Sequence, residues 1–349
     1  MIMKVSRRKL LNNDLQHILT HTRDLWEELR DGRLFITGGT GFVGTWLLES
    51  FVDANQKLGL DAKVIVLSRS PDAFHKKAPH LTSLESVQFL QGDVREFEFP
   101  KESFTHVIHA AAEVEHLGQD PLLELSTLFQ GTQHVLKFAQ YCNAQKFLLI
   151  SSGGVYGKQP SELKNIPESY QGAPDPCDAK SFYGEGKRIA ELLGAQFMKQ
   201  GLEVKIARGF TFIGPYLPLD AHFAIGNFIR DALRGGPIIV KGDGSPRRSY
   251  LYAADLAIWL WKILFQGISG SPYNVGSEED VSIAELAHHV VEIVNPELKV
   301  DVGEKISPGK HPERYVPDIS RATQELGLKQ WIPLTESIRR TVKFYSSDF

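Results

Sequence analysis

Leu34-Phe35-Ile36-Thr37-Gly38-Gly39-Thr40-Gly41-Phe42-Val43-Gly44 is an apolar run that closes in three glycines, Gly38, Gly41 and Gly44, at three-residue spacing. This pattern predicts a strand that turns sharply into a helix around a pyrophosphate. One glycine permits the turn, one lets the backbone approach the phosphates, and one lets the helix starting near Phe42 pack closely on the strand. The first N–H groups of that helix and its positive dipole end then face the anion. The implied ligand is a dinucleotide.

Outward from this stretch, short apolar strands are expected at 33–38, 63–68, 87–91, 105–110, 146–151 and 203–208, with helices at 42–55, 121–142 and 181–200. Such alternation means an α/β fold, a Rossmann-like doubly wound parallel sheet covered on both faces. After residue 208 the pattern loosens, and Gly and Pro become frequent, as in Gly214-Pro215, Gly235-Gly236-Pro237 and Gly242-Asp243-Gly244. The expected division is a dinucleotide-binding domain over 32–208 and a smaller mixed α/β substrate-binding domain over 209–349, with segments returning to the first around 251–275. Residues 1–31 stand apart as a helical extension. Leu15, Ile18, Leu19, Leu25, Trp26 and Leu29 form one apolar stripe over 12–30, closed by Asp31-Gly32. Ser6-Arg7-Arg8-Lys9-Leu10-Leu11 has the look of a twin-arginine export signal, but Asn12, Asn13, Asp14, Gln16 and His17 interrupt the apolar core that such a signal needs.

The 349 residues are 42% hydrophobic and 23% charged, with a net charge of -3. That balance offers no basic stripe for nucleic acid and no polybasic patch for a membrane surface, and no segment approaches the ~20 apolar residues of a membrane helix. Two cysteines, Cys142 and Cys177, make neither a disulfide framework nor a metal site. A small-molecule partner, no metal and a reducing, cytoplasmic setting are expected.

At the end of the second strand, where a dinucleotide fold reads the adenosine ribose, Ser68 and Arg69 stand in place of an acidic residue. An arginine fork suits a 2'-phosphate, so NADP is expected over NAD. Asp93, ending a further strand, is placed to accept from the adenine amine. Tyr183 and Lys187 lie one helical turn apart on one face. A cation there, beside a positive nicotinamide ring, is expected to lower the phenol from its usual ~10 so that it exchanges a proton near neutrality. Ser152, at the end of the neighbouring strand, is placed to hold the substrate oxygen.

These residues together resemble an extended short-chain dehydrogenase/reductase of the nucleotide-sugar epimerase/dehydratase family. The resemblance rests on Thr37 to Gly44, Gly92-Asp93-Val94, His109-Ala110-Ala111-Ala112, Ser151 to Gly157, Tyr183 to Lys187, Gly214-Pro215, Asn227-Phe228, Gly242 through Tyr250 and Pro317-Asp318-Ile319. It covers most of the chain from residue 33 onward. It implies that Ser152, Tyr183 and Lys187 are catalytic. The same resemblance adds Thr40, Val43, Val94, Ala110, Ala111 and Ala112 to the cofactor site, puts Asn227, Arg248 and Arg314 against the substrate's diphosphate or nucleoside, and implies a homodimer formed through helices 121–142 and 181–200.

Three positions depart from the pattern. Gly153-Gly154 replaces the Asp-Glu that many members use to eliminate water from a hexose, which argues against a 4,6-dehydratase. Leu128 replaces an asparagine three residues before Gly131-Thr132. Thr211 stands on the substrate side where the family often has an asparagine. The expected activity is NADP-dependent reduction of a keto group on a nucleotide sugar, of the 4-keto-6-deoxyhexose class. A nucleotide-sugar 4-epimerase using the same triad and a non-enzymatic dinucleotide sensor are the alternatives.

Overall fold

The computed structural model describes residues 2–112, 117–304, 311–346 and 348. Six parallel strands, β1 (Arg33–Thr37), β2 (Lys63–Ser68), β3 (Val87–Gln91), β4 (His106–His109), β5 (Lys146–Ser152) and β6 (Glu203–Gly209), form a sheet with Pro272–Val275. Across the sheet the order is Pro272–Val275, β6, β5, β4, β1, β2, β3. The order reverses between β1 and β4, so the crevice beyond their carboxyl ends is the switch point where such sheets bind ligands. Leu34, Phe35 and Ile36 are wholly buried, which explains why β1 reads as an unbroken apolar run rather than an alternating one. This is the α/β, doubly wound parallel architecture expected from the sequence.

Two expected helices come out differently. The stretch 121–142 is a helix over Pro121–Ser126, a π-turn over Thr127–Gly131 and a second helix over Thr132–Tyr141. At Gly131 a Cβ would lie 2.8 Å from Val94 Cγ1, so the chain there runs against its neighbour more tightly than a side chain allows. The stripe over 12–30 belongs to a helix spanning Ile2–Thr22, followed by a 3₁₀ segment over Arg23–Leu29. The tighter winding still lets Trp26 and Leu29 reach full burial. Trp26 lies 4.5 Å from Trp261 between ring centroids, and burial of a large apolar side chain of this kind contributes ~1.5–3 kcal/mol.

The extension is tied down by polar bonds as well. Asp14 accepts from Tyr252 Oη at 2.7 Å and from Arg340 at 2.5 Å, and His17 Nε2 lies 2.9 Å from the buried Asp255 carboxylate. Burial pushes the Asp14 carboxyl up despite both partners.

Beyond residue 209 the chain makes small sheets. Arg247–Ser249 pairs antiparallel with Asp280–Ser282 and parallel with Arg314–Tyr315; Ile238–Val240 pairs with Val300–Val302. No described helix is long and apolar enough to cross a membrane.

Candidate active site

A cavity of about 710 Å³ lies over the carboxyl ends of the central strands. The glycine turn forms part of its wall, and each glycine there has its own reason. Gly38 sits at φ +70°, where a Cβ would meet the Ala110–Ala111 backbone at 2.6 Å. Gly44 packs so tightly that a Cβ would lie 2.3 Å from Gly38 O and Gly39 Cα. A Cβ on Gly41 would meet nothing closer than Gly38 O at 3.5 Å. Its smallness is therefore not demanded by the protein, and it leaves room for a group approaching from the cavity. The following helix, Phe42–Leu58, opens at Gly41 and ends at Gly59 in the left-handed conformation. This cradle, with first-turn N–H groups that have no intrahelical partner, fits a dinucleotide pyrophosphate.

The other expected cofactor residues also line the cavity: Thr40, Phe42, Val43, Ser68, Arg69, Asp93, Val94, Ala110, Ala111 and Ala112. Lys77, unremarked in the sequence, joins them, its Nζ donating to Thr40 O at 3.4 Å. Asp93 is not simply presented to the cavity. Arg95 grips both its oxygens at 2.8 Å, and this pairing holds the carboxyl below its usual range.

Ser152, Tyr183 and Lys187 converge on the same cavity. Ser152 ends β5; Tyr183 and Lys187 share one face of the helix Phe182–Met198. Lys187 is buried, and Nζ donates to Ile150 O at 2.7 Å, 5.9 Å from the Tyr183 ring centroid. Burial pushes the Lys187 ammonium down to about 8 and the Tyr183 phenol up to about 12. Ser152, beside the phenol, acts in the opposite direction and lowers it. The physical reason is desolvation, which disfavours the charged form of each group. Nearby, His109 is fixed between Thr37 Oγ1 at 2.7 Å and Thr132 Oγ1 at 3.0 Å, and burial pushes it down to about 3, so it stays neutral.

The substrate side is less as expected. Thr211 lines the cavity, and its buried Oγ1 has no hydrogen-bond partner among the described residues. Asn227, Arg248 and Arg314 do not line it. Both amide protons of Asn227 go to carbonyls, Leu219 O and Ala221 O, at 2.8 Å each. Arg248 is paired with Glu313 at 2.6 Å, and Arg314 with Asp280 at 2.9 Å. In the sequence these three positions carry no sign of those competing partners, which come from positions six to 65 residues away and, for Asp280, from a separate strand.

Tyr315 is a site neighbour that the sequence gave no means of finding. It comes from a two-residue strand, and its Oη lies where a side chain at 153 would stand, 2.6 Å from a Cβ placed on Gly153. Leu128, at the second departing position, packs where a Cβ on Gly186 would stand, 2.6 Å from Leu128 Cδ1, so an apolar contact takes the place of a polar tie.

The NAD dependent epimerase/dehydratase family model matches residues 34–276. UDP-glucuronic acid decarboxylase 1 of Arabidopsis thaliana is 32% identical over 318 residues, which are 91% of this chain and 69% of that protein. Among solved structures, the UDP-glucuronic acid 4-epimerase from Bacillus cereus in complex with NAD superposes with a TM-score of 0.77 at 21% identity, covering 91% of this chain and 97% of that one. The dTDP-glucose 4,6-dehydratase from Bacillus anthracis in complex with NAD gives a TM-score of 0.75 at 18% identity, covering 91% and 97%. Both likenesses concern the fold.

Proposed function

The chain belongs to the NAD dependent epimerase/dehydratase family, nicotinamide-dependent enzymes that modify nucleotide sugars, and from that premise we propose that it reduces a keto group on a nucleotide sugar. The observation that carries this reading is the set of protic groups around Ser152. Tyr183 and Ser152 are hydroxyls, and positions 153 and 154, which could have carried an acid and a base, are glycines. A hydroxyl that stays protonated at neutral pH donates well to a developing alkoxide and is a poor base for taking a carbon-bound proton. Dehydration is thereby disfavoured, and the ketone is received from another enzyme, as a 4-keto-6-deoxyhexose nucleotide would be.

The bound nicotinamide supplies hydride and a nearby positive charge in its oxidised form. Tyr183 gives its phenolic proton to the carbonyl oxygen, Ser152 donates a hydrogen bond to that oxygen, and Lys187 holds the cofactor ribose. Thr211, which lines the cavity and whose buried hydroxyl has no partner among the described residues, is suited to a sugar hydroxyl or a diphosphate oxygen. Arg248 reaches a diphosphate by exchanging its Glu313 partner for phosphate. Ser68, Arg69 and Lys77 at one part of the cavity, with no acidic residue ending β2, support NADP, although the two solved neighbours carry NAD. Leu122, Phe129, Tyr141 and Leu192 are exposed on the helical layer that includes Phe182–Met198, and they suit the interface of a cytoplasmic homodimer.

A second reading is favoured by the 32% identical relative named as a decarboxylase: oxidation of a hexuronate ring carbon, loss of CO2 and return of the same hydride. One set of assays separates the two. With a 4-keto-6-deoxyhexose nucleotide and NADPH, reductase action consumes reduced cofactor one-for-one with ketone. CO2 release from UDP-glucuronate without net cofactor change would reject reduction in favour of decarboxylation, and 4-epimerisation of a UDP- or GDP-hexose would reject it in favour of an epimerase. Dinucleotide binding with no turnover of any of these would return the sensor.

A further inference from the structure

Three consecutive residues at the end of β5 meet the helix Phe182–Met198. Ile150 O accepts from Lys187 Nζ at 2.7 Å, Ser151 Oγ donates to Glu191 Oε1 at 2.5 Å, and Ser152 lines the cavity with Tyr183. Tyr183, Lys187 and Glu191 are spaced four apart, so they lie along one face of that helix. Of these three, only Glu191 has no part in the proposed reaction.

Glu191 is clasped from a second strand as well. Arg208 of β6 donates to both its oxygens, Nε to Oε1 at 2.9 Å and Nη2 to Oε2 at 2.6 Å, and both side chains are largely buried. Ser151 and Arg208 are register partners across β5 and β6, and Arg208 and Asn274 are partners across β6 and Pro272–Val275. The row closes through Tyr156, whose hydroxyl accepts from Arg208 Nη1 at 2.8 Å and donates to Asn274 Oδ1 at 2.7 Å. Ser152 is thereby bracketed along the chain: Ser151 before it and Tyr156 after it are both fastened to the Arg208–Glu191 pair. A bidentate arginine–carboxylate pair fixes direction as well as distance, and removing one partner of a buried pair leaves the other charge uncompensated.

We infer that Glu191 is a positioning residue: held by Ser151 of β5 and Arg208 of β6, it pins the helix to the strand ends and sets Lys187 and Tyr183 against Ser152. It is also the counter-charge one helical turn from Lys187, and it favours the ammonium against the burial that disfavours it. Lys187 Nζ is 5.9 Å from the Tyr183 ring centroid, and His109 of β4 is kept neutral by burial. The carboxylates that share the cavity with Lys187, Asp93, Asp120 and Glu124, are engaged by Arg95 and by the N–H groups of Leu123 and Gly118. The assignment rests on the proposed function in taking Lys187, Tyr183 and Ser152 as one site.

Two measurements test it. In protein labelled with 13C at the lysine ε carbon, Lys187→Met identifies the Lys187 signal, whose midpoint is expected at about 8. Glu191→Gln keeps the length of the side chain and gives up its charge, so it should lower that midpoint by about one pH unit, a roughly tenfold loss of preference for the ammonium. Glu191→Asp keeps the charge and should leave the midpoint close to the parent's. An unmoved midpoint in Glu191→Gln, or an equal fall in both variants, overturns the assignment, and this readout needs no substrate. In turnover, Ser151→Ala removes the strand-side bond and leaves the ion pair, so it serves where Glu191→Gln fails to fold. It should lower kcat by about three- to tenfold, the worth of one net hydrogen bond, with KM and cofactor affinity unchanged. A parental kcat in Ser151→Ala overturns the assignment as well. If the parent protein turns over no keto sugar, the reaction reading fails and the midpoint still decides the role of Glu191.

Discussion

At the glycine turn, Gly38, Gly41 and Gly44 stand within seven residues of one another, and the structure uses them for a left-handed turn, an open approach and a close helix contact. Around Ser152, by contrast, the groups come from the end of β5, the helix Phe182–Met198, Phe210 just past β6, and Tyr315 from a sheet over a hundred residues further on. The first region is a local object: chain neighbours make it, and its chemistry is that of backbone N–H groups. The second exists only when distant segments dock, and its chemistry is that of side chains. Substitutions in the second region should therefore act on rate, and substitutions on the cofactor side, at the adenosine end beyond the first, should act on affinity.

The largest expected effect tests the rate half of that division. Tyr183→Phe removes the proton donor while the ring still fills its space, so kcat should fall by about 10²- to 10⁴-fold with the cofactor dissociation constant nearly unchanged. Stopped-flow hydride transfer and a fluorescence titration of cofactor measure the two quantities, and a variant that keeps most of its kcat would move the catalytic role elsewhere.

The affinity half is tested at Arg69. Loss of a charge-assisted contact of ~1.5–3 kcal/mol should weaken NADPH binding by about ten- to a hundredfold in Arg69→Ala, leaving NADH affinity and saturated kcat as they were. Equal NADPH affinity in parent and variant would remove Arg69 from the cofactor site.

The smallest effect sharpens the comparison through pH. Burial brings Lys187 to about 8, so its ammonium is present below that pH and is lost as pH rises through it. An anionic dinucleotide favours the charged form, and its affinity should weaken a few-fold between pH 7 and pH 9. Arginine does not titrate in that window, so the ratio of NADPH to NADH affinity should stay constant. Isothermal titrations at the two pH values give both numbers; a ratio that moves with pH, or an affinity that does not, would contradict the separation of the two regions.

The chain's own order of residues determined the fold class, because an apolar run that reads straight through predicts a strand buried on both faces, and Gly38, Gly41 and Gly44 can serve a strand–turn–helix wherever the rest of the chain goes. It determined the spacing of Tyr183 and Lys187, since four residues are one helical turn. It pointed to Gly153 as a departure and said nothing of what would occupy the gap. Only the tertiary structure decided that Tyr315 stands there, that Arg248 and Arg314 are paired with Glu313 and Asp280, that Asn227 spends its amide protons on a loop, and that desolvation pushes the Tyr183 phenol up. The reason is common to all four. Hydrogen-bond partners and desolvation are set by segments far apart in sequence, and no local period or spacing records which of them will meet.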